Sequence, residues 1–236
     1  MLKRDGNLAL LFLNNPRQRN ALGQDMLSQL RTWLTQLARD EEIHALVIGS
    51  AIEGVFASGG DINELRALAG SRGGLQFAES VQAVFTLIEE FPTPVLVAIN
   101  GYCLGAGAEL AMAADIRIAA DTALLSFPQA GLGIVPGLGG GQRLVRLSRP
   151  GTAKRLVFTG ERIPAQEAWH LGLVEFLAPA AELWDVAKGL AQRLASKPRK
   201  AQGLAKRALN HSAQADLVCG CAYEALLFGL ACPMPE

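Results

Sequence analysis

Short apolar runs alternate, along the first half of the chain, with stretches in which apolar residues recur every three or four positions. The runs of strand length lie at residues 8–13, 45–50, 95–99 and 116–119. Helical spacing separates the first two runs, where it is set by Met26, Leu27, Leu30, Trp33, Leu34 and Leu37, and it returns at 76–90 and from about residue 105. This alternation predicts an α/β domain whose strands are buried on both faces.

The second half of the chain has a different pattern. From about residue 142 the strand signals stop and helical patterns dominate, at residues 164–174, 180–195 and 200–210. We therefore predict a core over residues 1–190 and a helical C-terminal region over residues 191–236. The segment at 70–74 is rich in Gly and Ser and has no apolar anchor, which predicts a mobile loop.

Composition narrows the class of protein and of partner. A chain of 236 residues can bury one substantial core, and its 22 basic and 22 acidic residues cancel. The balance argues against binding to nucleic acid or to an anionic membrane, and the apolar runs are too short to span a bilayer.

Four cysteines in a chain of this length, without zinc-like spacing, predict neither a disulfide framework nor a metal site. The N-terminal segment reads as a first strand and not as a signal peptide, so we expect a cytoplasmic location.

The stretch FASGGDINEL at residues 56–65 is a candidate turn that feeds a helix. Asp61 followed by Glu64 resembles a capping box, which places Gly59 and Gly60 just before the helix begins. Backbone N–H groups without partners collect at such a position. Taken alone, the stretch is interpreted by default as a tight strand-to-helix turn that requires glycine for its backbone angles.

The stretch LGAGAELAMAAD at residues 104–115 raises the question of why one carboxylate lies in an apolar segment. If the helix begins near Gly105, the N–H of Ala106 has no partner, and Glu109 lies one turn further on the same face. Such a pair could hold a carbonyl oxygen while a proton moves beside it. A carboxylate that complements the helix dipole in the first turn is the open alternative.

The stretch FPQAGLGIVPGLGGGQRL at residues 127–144 predicts a long irregular loop before a helix near Gln142. It contains six glycines before that helix, yet no Gly-Lys-Ser/Thr follows them and no dinucleotide fingerprint fits. Nucleotide binding is therefore excluded as the interpretation of these glycines.

These three stretches, with NNPRQRNAL at 14–22 and FTGERIPAQEAWHLGLV at 158–174, resemble the crotonase superfamily, the enoyl-CoA hydratase/isomerase family, over nearly the whole chain. The resemblance implies a spiral of ββα units followed by a helical trimerisation region. It also implies an acyl-CoA thioester as substrate, no cofactor beyond the coenzyme A of that substrate, and a homotrimer or hexamer. Carried over position by position, Gly60 and Ala106 supply the oxyanion hole, and Glu109 and Gln129 occupy the two positions of the catalytic glutamates. The substrate-binding positions are Arg17, Ala57, Gly59, Asp61, Ile62, Gly105, Pro128 and Gly137.

Gln129 is a departure from the family pattern, because an amide cannot exchange a proton at neutral pH. Hydration by two glutamates is therefore not expected, and Glu109 alone would support either a hydratase or an isomerase. The departure keeps open a non-catalytic acyl-CoA-binding protein and a thioesterase or decarboxylase that uses the same oxyanion hole. The C-terminal region also ends earlier than the family pattern, so we expect it to be shorter than usual.

Overall fold

The structure is a computed structural model that describes residues 1–68 and 70–232, with the backbone alone for Ser71. The strands are β1 Leu2–Asp5, β2 Leu8–Leu13, β3 Ala45–Ser50, β4 Gly54–Ala57, β5 Val95–Ile99, β6 Gly101–Leu104, β7 Ile116–Ala120, β8 Leu124–Ser126, β9 Ile163–Pro164 and β10 Phe176–Ala178. The helices are α1 Gln24–Ala38, α2 Ile62–Ala67, α3 Gly70–Glu89, α4 Ala106–Ala111, α5 Gly140–Leu147, α6 Pro150–Thr159, α7 Ala165–His170, α8 Leu183–Ala195, α9 Arg199–Ser212 and α10 Leu217–Ala231. Short 3-10 helices cover Pro16–Gln18, Pro128–Leu132 and Ala180–Glu182.

The strands form two sheets that the chain visits alternately. A six-stranded sheet has the order β1-β2-β3-β5-β7-β10, and a four-stranded sheet has the order β4-β6-β8-β9. Three successive strand pairs, β3–β4, β5–β6 and β7–β8, each give their first strand to the larger sheet and their second strand to the smaller one. A helical segment follows each pair, which is the ββα repeat that the resemblance implies.

The central strands are mostly apolar because both faces of the larger sheet are covered. Every residue of β3 and of β5 is buried, as expected for parallel strands between two layers. Helix α8 packs on β3, β5 and β7, and α1 packs on α3. The four strand runs that the apolar pattern predicts are confirmed, and so are the helices at 76–90, 180–195 and 200–210.

Two predictions about local structure are wrong. The segment at 70–74 is the first turn of α3 and not a loop, because Phe77, Val81, Val84 and Phe85 pack their helix on the core and the helix extends back through the small residues. Strands also continue beyond residue 142, as β9 and β10. Their two and three residues are too short for a periodic pattern, and each pairs at the edge of a sheet, with β8 and β7 respectively.

The predicted boundary between residues 190 and 191 falls inside α8, and the division stays a prediction. Helices α9 and α10 pack on each other at the C-terminal end, and residues 233–236 of the predicted region lie outside the described residues. Among the helices that the structure describes, none has the length and apolarity needed to cross a membrane.

Candidate active site

Two tight turns meet at the carboxyl ends of β4 and β6, which are parallel neighbours. Gly59 has φ of 123° and Gly105 has φ of 51°, conformations that residues with side chains rarely adopt. A Cβ atom on Gly105 would lie 3.6 Å from the Cα atom of Gly59 and 3.9 Å from Nε2 of Gln129. Glycine at these positions lets two backbone turns and one amide side chain meet in one place.

Two backbone donors are left free at this meeting point. Gly60 follows the first turn and Ala106 begins α4 after the second. Within residues 1–68 and 70–232, the N–H groups of Gly60 and Ala106 have no hydrogen-bond acceptor. Both residues line the same cavity of about 510 Å³, so both donors are available to a ligand there.

Glu109 is buried in the first turn of α4, with 1% of its surface exposed. Its Oε2 accepts hydrogen bonds from the N–H groups of Leu138 at 2.9 Å and Gly140 at 2.8 Å. Its Oε1 accepts from Nε2 of Gln129 at 2.8 Å. The hydrogen-bond donors to this carboxylate therefore lie at the start of α5, just before α5 and in the 3-10 helix Pro128–Leu132, and not at the N-terminus of α4 itself. This arrangement argues against a role limited to complementing the dipole of α4.

Burial is the main influence on the acidity of Glu109. Desolvation raises its pKa from the ordinary 4.5 to about 6, against the opposing effects of the hydrogen bonds from Gly140, Leu138 and Gln129 and of the charge on Arg143. A carboxyl group with a pKa of about 6 is mostly ionised at pH 7, yet it binds a proton more readily than an exposed glutamate. Such a group can both accept and return a proton.

Gln129 lies in the 3-10 helix Pro128–Leu132 and is 5% exposed. Because its Nε2 donates to Glu109, its Oε1 faces away from that carboxylate, and Oε1 has no hydrogen-bond partner among the described residues. A buried acceptor without a donor is costly unless a ligand or water supplies the donor. Gln129 lines the cavity, and its Oε1 is shielded from solvent there.

The rest of the cavity is apolar. Its wall comes from α2, α3 and the segment after β8, and the apolar side chains are Ile62, Leu65, Leu68, Phe77, Ala78, Pro128, Leu132, Ile134, Val135 and Leu138. Among the described lining residues, Glu109 is the one ionisable side chain. The cavity thus suits an uncharged, apolar group held beside one carboxylate. No cluster of His, Cys, Asp and Glu suited to a metal ion occurs in the described part of the chain.

The structure brings most of the predicted site residues together. Gly59, Gly60, Ile62, Gly105, Ala106, Glu109, Pro128, Gln129 and Gly137 all line the cavity. Three others do not: Ala57 is buried beneath α4, and Arg17 lies in the first 3-10 helix. Asp61 caps α2 by accepting from the N–H groups of Asn63 and Glu64. The role of these three in substrate binding stays a prediction.

Sequence reasoning missed the donors that hold Glu109. Gly140 is packed so closely on it that a Cβ atom at this position would lie 2.2 Å from Cγ of Glu109. The glycines at 139–141 carried a signal for a close backbone approach, but no pattern in the sequence indicated which side chain they approach. Sequence reasoning also missed the apolar wall of the cavity from α3, since Phe77 and Ala78 fit a helical core pattern equally well.

Comparisons with known proteins agree with this geometry. The family model described as enoyl-CoA hydratase/isomerase matches residues 3–231. A short-chain-enoyl-CoA hydratase of Clostridium acetobutylicum is 38% identical, over 97% of this chain and 87% of the relative. A crotonyl-CoA hydratase of Syntrophomonas wolfei is 40% identical, over 98% of this chain and 88% of the relative.

The fold is also similar to solved structures. The crystal structure of an enoyl-CoA hydratase from Bacillus anthracis superimposes with a TM-score of 0.94 at 35% identity, over 98% of this chain and 90% of that one. The alternating sheets, the paired glycine turns and the buried carboxylate thus occur in a chain that matches these relatives over almost its full length. The chain belongs to the enoyl-CoA hydratase/isomerase family, in the crotonase superfamily.

Proposed function

We propose that the protein hydrates a 2-enoyl-CoA thioester, with Glu109 as the single group that moves a proton. The observation that carries the proposal is the arrangement around Glu109. Glu109 with its raised pKa, Gly60 and Ala106 with their free backbone donors, and Gln129, which donates to the carboxylate, all line the same apolar cavity. The names of the relatives support a thioester of coenzyme A as the substrate.

In this mechanism the thioester carbonyl oxygen accepts hydrogen bonds from the N–H groups of Gly60 and Ala106. These donors stabilise the negative charge that develops on that oxygen when the β-carbon is attacked. Removing one donor of this kind typically costs about 2.7–4 kcal/mol in the transition state. Alanine at 106 does not weaken this role, because the donor is the backbone.

Hydrogen bonding assigns the proton transfer to one oxygen of Glu109. Oε2 accepts two backbone hydrogen bonds, which occupies both of its lone pairs. Oε1 accepts one, from Gln129, and keeps one lone pair free. We therefore assign to Oε1 the exchange of protons with the substrate and with water.

Gln129 orients Glu109 in this scheme. Its Nε2 donates to Oε1 of Glu109 at 2.8 Å, and one hydrogen of the attacking water faces the remaining lone pair of that carboxylate oxygen. As the water oxygen bonds to the β-carbon, Glu109 takes that proton, the double bond shifts and an enolate forms in the oxyanion hole. Glu109 then returns the proton to the α-carbon, so one water molecule is added and no charge is left over.

Double-bond isomerisation is the second candidate. It is favoured by the same finding that Glu109 is the one ionisable side chain among the described residues that line the cavity. A single carboxylate can move a proton from the α-carbon to the γ-carbon through an enolate held in the same oxyanion hole. A thioesterase and a non-catalytic acyl-CoA-binding protein are outcomes that product analysis on enoyl-CoA substrates would reveal, and a decarboxylase would be revealed by loss of CO₂ from a carboxylated acyl-CoA.

The remaining parts of the proposal concern the setting of the site. An apolar cavity wall suits an uncharged acyl chain, and Arg17 is the candidate cation for the phosphates of coenzyme A. We further propose that the reaction needs no cofactor, that the protein assembles as a homotrimer or hexamer and that it acts in the cytoplasm. Light scattering of the purified protein and fractionation of cells test the last two statements.

Product analysis tests the function directly. The protein is incubated with crotonyl-CoA and, separately, with a 3-enoyl-CoA, and the products are separated and weighed by mass spectrometry. Gain of one water by crotonyl-CoA is the expected result, whereas conversion of the 3-enoyl substrate to its 2-enoyl isomer without hydration supports isomerisation. Release of free coenzyme A, or binding without any product, would contradict both candidates.

A further inference from the structure

Arg143, on α5, packs behind the backbone that holds Glu109. A Cβ atom on Gly139 would lie 2.5 Å from Nη1 and 3.5 Å from Cζ of Arg143, so the guanidinium covers the Cα atom of Gly139. Gly139 lies between the two residues, Leu138 and Gly140, whose N–H groups donate to Oε2 of Glu109. A shift of the guanidinium would therefore displace Gly139 and, with it, the N–H groups of Leu138 and Gly140.

Arg143 is itself held by a carboxylate from another helix. Its Nη2 and Nε donate to Oε2 of Glu89 at 2.6 Å and 3.2 Å, and the arginine side chain is 15% exposed. Glu89 is the last residue of α3, the helix whose first half lines the cavity through Phe77 and Ala78. Neither Arg143 nor Glu89 lines that cavity, so the pair acts on the site only through the turn at 138–140 and through its charges.

The elements that make the most contacts with α4 are β4, β6 and α5, and besides Arg143 they carry few titratable side chains. Strand β4 carries no ionisable residue, and β6 carries Tyr102, which is exposed, and Cys103, whose thiol pKa burial raises. Helix α5 carries Arg143 and Arg146, and the latter is exposed and donates to the backbone of its own helix. The charge of Arg143 lowers the pKa of Glu109.

We propose that Arg143 is a positioning residue for Glu109: its guanidinium, held by Glu89, fixes the turn at 138–140 and keeps a positive charge behind it. The importance of this role for catalysis rests on the proposed function, in which Glu109 moves the proton. The two members of the pair then affect Glu109 with opposite signs, since the arginine charge favours the carboxylate and the glutamate charge opposes it. Opposite signs separate an electrostatic role from a merely structural one.

The test is an infrared titration of Glu109 in the intact protein. The carbonyl band of protonated Glu109 is isolated by subtracting the spectrum of the Glu109→Gln variant in each background. We expect Arg143→Met to raise the pKa of Glu109 and Glu89→Gln to lower it, whereas Arg143→Lys, which keeps the charge, stays close to wild type. Arg146→Gln, on the same helix, is the matched control and leaves the titration unchanged.

Kinetics provide the second readout. Arg143→Met is expected to lower kcat about tenfold with little change in KM, because the turn supports the proton-transfer group and not the binding of the thioester. The proposal is overturned if Arg143→Met and Glu89→Gln shift the titration in the same direction, or if neither shifts it. If wild type transforms no thioester, the proposed function fails, while the infrared titration still reports on the pair.

Discussion

Replacing Gly140 by alanine places one methyl group against the carboxylate on which the mechanism depends. The new Cβ atom would lie 2.2 Å from Cγ, 2.5 Å from Cβ and 2.7 Å from Oε2 of Glu109. Either Glu109 or the start of α5 must then move by about 1 Å, a displacement that can cost about 10²-fold in rate. The hydrogen bond from Gly140 to Oε2 is lost in the same movement, and a bond to a charged group contributes about 1.5–3 kcal/mol. We expect kcat on an enoyl-CoA substrate to fall about 10²-fold.

Gly141→Ala is the matched control, one residue further along α5. A Cβ atom on Gly141 would meet Cβ of Pro136 at 3.6 Å, an ordinary van der Waals distance. The assay is the steady-state loss of enoyl absorbance for both variants and wild type, with circular dichroism to show that each is folded. Gly141→Ala should stay within about twofold of wild type, since helical alanine is favourable. Equal activities of the two variants, in folded protein, would refute the packing on which the account of Glu109 rests.

Three further outcomes follow from the same contacts. The pKa of Glu109 is raised from 4.5 to about 6 by burial, so the stability it contributes is full below pH 4.5 and is lost as pH rises through 6. Urea unfolding should therefore show the unfolding free energy of Glu109→Gln gaining about 2 kcal/mol relative to wild type as pH rises from well below 4.5 to well above 6, and a constant difference would contradict the shift. Gln129→Glu puts a second carboxylate at the position that now donates at 2.8 Å to Glu109. The two carboxylates then share a proton, which should raise the hydration rate by up to about 10²-fold. The acid limb of the plot of rate against pH should move to higher pH by about one unit, and an unchanged plot would count against the contact between positions 109 and 129. Lys206→Met removes the buried cation that lies 2.7 Å from the Asp115 carboxylate and leaves this partly buried carboxylate, 22% exposed, without that partner. Thermal melts should show a loss of about 3 kcal/mol, against less than about 1 kcal/mol for Lys188→Met in an exposed pair.

The sequence predicts the strands of the larger sheet well because their burial is complete. Runs such as 45–50 and 95–99 are apolar at nearly every position that packs between two layers, and the structure gives β3 and β5 these same bounds. The edge strands β9 and β10 escaped prediction because two or three residues carry no periodicity. The segment at 70–74 was wrongly predicted to be a loop because its composition of Gly and Ser is typical of loops. The apolar residues that follow it pack on the core and extend the helix back through it.

The candidate site was predictable as a set of residue types and not as a set of contacts. The glycine turns and Glu109 follow from the local order of strand, turn and helix, and the family motifs place Gln129 beside them. The donors from Leu138 and Gly140, and the pair of Arg143 and Glu89, come from segments that fold together only in three dimensions. Glu64 is a similar case: it was expected to complete a cap on its own helix, and it accepts instead from the N–H of Gln24 at the start of α1.

The most direct measurement of the central claim compares wild type with Glu109→Gln on crotonyl-CoA. Turnover is followed by the loss of enoyl absorbance, and binding of a non-reactive acyl-CoA is measured by calorimetry on the same samples. The account predicts that Glu109→Gln binds the acyl-CoA about as tightly as wild type but turns over at least about 10²-fold more slowly, since the amide cannot carry the proton. Turnover by Glu109→Gln at the wild-type rate would show that the proton moves through another group.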